Sequence, residues 1–94
     1  MPRRNKQLKL SNLPNYLGQI NKNMSPDTVI KLLCRAANCL SNVRNLTNFN
    51  KAIKYYTEAY YIQCDIRGSS HTRATNIKNL IIKCEDKIVH LKKD

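Results

Sequence analysis

Between Ser25 and Lys93, apolar residues return every three or four positions in three successive runs, each bounded by residues that start and stop helices. This pattern constrains the chain more than any other feature. A three–four period buries one face of an α-helix and cannot alternate across a strand. The first run opens on Ser25-Pro26-Asp27, which supplies a serine N-cap, a proline for the first helical position and an acid for the positive end of the helix dipole. Val29, Ile30, Leu33, Ala36, Ala37, Leu40 and Val43 then form a stripe that Leu32 and Cys39 broaden, and the helix is expected to end near Arg44. The second run starts at Thr47 or Asn48. Phe49, Ala52, Ile53, Tyr56, Ala59, Tyr60 and Gln63 form its face, with Tyr55, Ile62 and Ile66 along one side. Arg67-Gly68 closes it with a cation in the last turn and then a glycine suited to a left-handed position. After a turn and cap over residues 69–72, the third run carries Ile77, Leu80, Ile81, Cys84, Ile88 and Leu91, with Lys78, Lys83, Asp86 and Lys87 on the opposite side.

Three helices of roughly 17–20 residues joined by short links predict an all-α protein, an antiparallel three-helix bundle over residues 25–94. Residues 1–24 read differently. They hold five basic residues (Arg3, Arg4, Lys6, Lys9, Lys22), no acidic one, and several asparagines with Pro14 and Gly18. No helical period is sustained there, so a basic, irregular N-terminal arm is expected. Leu8, Leu10, Leu13, Tyr16, Leu17 and Ile20 give it the means to dock on the core. Ile82 and Val89 lie off the main stripe of the third helix but seven positions apart, and so share a side. They either widen the core contact or form an apolar rail for a partner.

Composition removes most other classes. A 94-residue chain buries about 60–65% of the surface its unfolded form exposes, enough for one core and too little for a deep cavity. With 2 Gly and 3 Pro it cannot make the many turns of a sandwich or barrel. No apolar stretch reaches membrane-spanning length, and the charged residues near Met1 are not followed by an apolar segment, so a cytoplasmic or nuclear chain is expected. Cys34, Cys39, Cys64 and Cys84 are scattered, and His71 and His90 lie far from any close cysteine pair. That spacing suits reduced residues packed on helices rather than a metal site or disulfide framework. The sequon at Asn45-Leu46-Thr47 is idle in such a compartment. There is no phosphate loop, no Ser-His-Asp set and no useful carboxylate pair, so neither an enzyme nor a cofactor is expected.

Lys and Arg total 17 against 6 Asp and Glu, a formal charge of +11. Residues 25–94 alone carry twelve basic and six acidic residues. Such a balance suits an acidic partner, whether tubulin tails, acidic peptides, anionic lipid or nucleic acid; much of it also serves as a solvated face.

The first helix holds Leu33-Cys34-Arg35-Ala36, an apolar–basic–Ala pattern. The second opens on Phe49-Asn50-Lys51-Ala52 and reaches the aromatic pair of Tyr55-Tyr56-Thr57-Glu58-Ala59. The third runs from Ile77-Lys78 to Leu91-Lys92-Lys93. With these motifs, residues 28–93 resemble the MIT (microtubule-interacting and trafficking) domain family. Where the family places a leucine before an acidic–basic pair, this chain has Glu85, followed by Asp86-Lys87; the link over residues 40–48 and the N-terminal arm are also longer than usual.

The resemblance implies a protein-interaction module that binds short C-terminal tails of ESCRT-III-type filament subunits. The tail lies as an amphipathic helix between the second and third helices, or extended between the first and third. An attached effector is thereby recruited to endosomal or other membranes, peripherally and without insertion. The peptide-binding residues it implies are Lys78, Ile82, Glu85, Lys87 and Val89 on the third helix and Tyr55, Ile62 and Gln63 on the second. Two other classes compete with this reading: a basic helical module that binds microtubules or RNA, and a tetratricopeptide-like scaffold fragment that dimerises.

Overall fold

A computed structural model describes residues 13–21 and 23–93 of the chain. Those residues form four α-helices and no strand: α1 (Leu13–Gln19), α2 (Pro26–Ser41), α3 (Leu46–Arg67) and α4 (Thr72–Lys93). The basic positions Arg3, Arg4, Lys6, Lys9 and Lys22 lie outside the described residues. No described helix is long and apolar enough to cross a membrane.

The starts and stops follow from local chemistry. Ser25 caps α2 from an extended conformation, and its side chain accepts the Thr28 N–H at 3.3 Å. The helix ends at Ser41, three residues short of the expected Arg44. The Asn42 N–H bonds back to Asn38 O, and the Val43 N–H bonds to Leu40 O, three residues back. That tightened turn releases the chain, so Val43 falls outside the helix. The next helix starts early. Asn45, not Thr47 or Asn48, is its N-cap and accepts the Asn48 N–H at 3.2 Å. Gly68 closes α3 at φ 87 and ψ 161, a region open essentially to glycine, in place of the left-handed turn expected there. His71 caps α4 by accepting the Arg73 N–H on its Nδ1 at 3.1 Å.

Packing is organised around α3, which lies against both α2 and α4, while α1 lies against α2. At one end Asp27 of α2, Arg67 of α3 and Arg73 of α4 meet. At the other, Ser41 of α2, Phe49 of α3, and Lys87 and His90 of α4 share a pocket. Neighbouring long helices therefore run in opposite directions. The main core joins Ile30, Leu33, Ala37 and Leu40 to Ala52, Tyr56 and Ala59 and to Ile77 and Cys84. Its three buried alanines let the helices approach closely, and Tyr56 fills the middle at 1% exposure.

The arm departs from expectation. Residues 13–19 are helical, and Tyr16 is buried against Leu32, Ala36 and Cys39 of α2. This explains why the apolar stripe of α2 is so broad. One flank faces α3 and α4, and the other is roofed by α1. Arg35 of α2 stands 6.0 Å from the centre of the Tyr16 ring, adding a cation–π contact to this seat.

Candidate peptide-docking site

The eight residues implied as peptide contacts do not form one site. Gln63 is fully buried. Its side chain serves the bundle end, where Oε1 accepts Arg73 Nη1 at 3.3 Å. The core period already placed Gln63 on the buried stripe of α3, so the same spacing that found it withdraws it from any groove. Tyr55 and Ile62 are half-buried and do line a groove, but with Leu17 of α1, Ile20 just after it, and Val29 and Leu33 of α2. They lie on the α2 side of α3.

The other five are on α4 and exposed. Ile82 is 46% exposed and Val89 51%, so the pair does not widen the core. Lys78 precedes Ile82 by one turn and Glu85 lies between the two apolar side chains, all on one flank of the helix. Lys87 belongs to another flank. Its ammonium stands 5.8 Å from the centre of the Phe49 ring, beside Ser41, Asn42, Arg44 and His90 around a pocket of about 250 Å³.

The side of α3 opposite Tyr55 and Ile62 consists of residues not singled out as contacts. Ile53, Thr57, Tyr60 and Cys64 recur at i, i+4, i+7 and i+11 and so share the side of α3 opposite Tyr55 and Ile62. Ile53 and Tyr60 are half-buried and pack against the main core, as does Ile81 of α4. A hydrogen bond with Cys64 pushes the Tyr60 phenol above its ordinary pKa. The signal was present, since Ile53 and Tyr60 were read as core. Which flank of α3 meets α4 is not encoded in its own period.

The groove between α2 and α4 has a different character. It is lined by Ile30, Lys31, Cys34, Arg35, Asn38 and Arg73 and holds about 240 Å³. Three cations, of which Arg73 is also bonded to Asp27, surround an apolar floor, and the described lining residues include no carboxylate. The Asn38 Oδ1 is taken by the Tyr56 hydroxyl at 2.5 Å. Burial pushes the Cys34 thiol up to about 11, with Arg73 drawing it down in part, so at neutral pH it is a protonated packing residue. None of the four cysteines is in a disulfide, and no described His, Cys, Asp or Glu cluster could hold a metal ion.

No family model matches this chain, and no curated protein or solved structure matches it either.

Proposed function

We propose that the chain is a non-catalytic interaction module of the MIT kind. Its three long helices act as an antiparallel bundle, and the cleft between α3 and α4 receives acidic C-terminal tails of ESCRT-III-type subunits as amphipathic helices. In that role it brings an attached effector to endosomal or other membranes from the cytoplasmic side without entering the bilayer. The observation that carries this reading is the exposed pair Ile82 and Val89, two turns apart on a helix whose remaining large apolar residues are at least half-buried. Leaving both in water is unfavourable unless something covers them part of the time, and a heptad-spaced rail is what the apolar stripe of a second helix fits. Ile53 and Tyr60 supply the opposite wall, and Lys78 supplies a cation at the rim for an acidic tail. So small an interface suggests micromolar affinity, about −8 kcal/mol at 1 µM.

A second reading is favoured by the α2–α4 groove, where Lys31, Arg35 and Arg73 suit an extended acidic polymer such as a tubulin tail or RNA. Titration of an acidic helical tail peptide against Val89→Asp and Lys31→Glu variants separates the two. Tail binding on the rail predicts at least a tenfold loss for Val89→Asp with unchanged helical circular dichroism, little effect of Lys31→Glu, and a moderate loss with salt. Polymer binding predicts the reverse and a steep salt slope. Unchanged affinity for Val89→Asp removes the α3–α4 cleft from consideration.

A further inference from the structure

We infer that the open groove between α1, α2 and α3 is a second docking site, and that its occupant is a short amphipathic helix carrying a basic residue. The groove holds about 580 Å³, within the range of ligand-binding clefts. Leu17, Ile20, Val29, Leu33 and Ile62 make it apolar, and Tyr55 and Tyr61 stand at its edge. Tyr61 is 64% exposed, the most open of the large apolar side chains described.

Two observations choose the occupant. The first is continuity with a seat already filled. α1 rests on α2 as a short amphipathic helix, with Leu13 and Leu17 one turn apart, and Ile20 just past its end, packed onto the cores below. At 1.5 Å per residue, α1 spans about 10 Å and α2 about 24 Å, so α1 roofs less than half of its partner. The open groove continues that seat, past Ile20, toward the start of α2. The same apolar floor that holds one short helix is offered to another.

The second observation is charge. In a chain of net charge +11, the one charged side chain lining this groove among the described residues is Glu58. Asp65 follows it by two turns on α3 and is exposed, with Ile62 between them. Two of the chain's six acidic residues thus lie on this flank of α3, along with the exposed Lys51 and Lys54, and of these Glu58 is the one that lines the groove. An acidic tail of the kind proposed for α4 would meet Glu58 here with like charge. A helix with apolar side chains at i, i+4 and i+7 and a lysine or arginine beside them would bury its apolar stripe and pair its cation with Glu58. The module would then sort two partners by sign, acidic on α4 and basic here. The sorting rests on the proposed function, whereas the basic preference of this groove stands without it.

The test uses the full chain and a helical peptide with leucines at i, i+4 and i+7 and lysines between them, followed by NMR titration. Shifts are expected at Leu17, Tyr55, Tyr61 and Ile62. Glu58→Lys should weaken binding about fivefold, in keeping with a surface ion pair replaced by a like pair. Ile62→Asp should reduce it more, and Val89→Asp should leave it unchanged. Conversely, Glu58→Lys should leave acidic-tail binding on α4 unchanged. Failure of the acidic tail alone sinks the α4 assignment and spares this one. Equal or tighter binding of the lysine peptide to Glu58→Lys, or no shifts around Ile62, overturns the proposal. So does competition from a second copy, seen as a concentration-dependent mass, or from the chain's own Arg3, Arg4, Lys6 and Lys9, seen as shifts at Ile62 on reversing their charge without any peptide.

Discussion

Arg67 grips Asp27 with both arms of its guanidinium, Nη1 to Oδ1 at 2.8 Å and Nη2 to Oδ2 at 3.0 Å, across 40 positions of sequence. Arg73 adds a third bond to the same carboxylate at 2.9 Å and hands its other contact to Gln63. One carboxylate at the start of α2 thereby fixes the end of α3 and the start of α4. A bidentate arginine pair is more specific in geometry than a lysine pair, so the contact sets how the helix ends align.

This clamp makes stability depend on acid. The hydrogen bond from Arg67 is the largest influence on Asp27, partial desolvation opposes it, and Arg73 adds to it, so the folded carboxyl lies below its ordinary value of 3.8. A depressed folded pKa contributes stability that is complete above the unfolded value and is lost as pH falls below it toward the folded one. Urea midpoints of wild type and Asp27→Asn should therefore differ at pH 7 and converge as pH drops below about 4. A constant gap down to pH 2 would mean that Asp27 acts by packing rather than charge.

Tyr56 is the central side chain of the core, and its hydroxyl donates to Asn38 Oδ1 at 2.5 Å. Burial pushes its phenol far above the usual tyrosine range, so it stays neutral. Tyr56→Phe should cost about 1–2 kcal/mol, because a half-buried Asn38 carbonyl loses its donor. Tyr56→Ala should cost about 3–5 kcal/mol by opening a cavity. Chemical denaturation of Tyr56→Phe, Asn38→Ala and the double variant checks the pairing, since the two costs must add to more than the double if the bond is real.

The seat of α1 is testable through a thiol. Cys39 is fully buried on the flank of α2 that Tyr16 covers. A seven-residue helix has little stability of its own and holds its place by that ring. Tyr16→Ala should release α1 and make Cys39 react with a thiol reagent at least tenfold faster, while the circular dichroism of the long helices persists. An unchanged rate at Cys39 would show that α1 is held by something other than Tyr16.

The residues that mislead are as informative as those that do not. Gln63 sits on the buried stripe of α3 by spacing, yet a glutamine there reads as a groove contact because polar side chains are seldom fully buried. Arg73, ten positions away on α4, satisfies the Oε1 of Gln63, whose buried Nε2 has no hydrogen-bond partner among the described residues. Tyr55 and Ile62 were placed on a common flank of α3, and they do share one. It turns toward α1 and α2, not α4.

Taken alone, the order of residues determined that three long helices run through residues 26–93, which side chains share a face, the serine cap of α2 and the glycine stop after α3. These are local matters, decided within one or two turns by hydrogen-bond geometry and the three–four period. Only the tertiary structure decided which neighbour each flank meets, that residues 13–19 coil into a helix over Tyr16, and that Asp27 finds two arginines from other helices. Those outcomes depend on contacts between segments tens of residues apart, and a helical period carries no information about the partner on the far side of the contact.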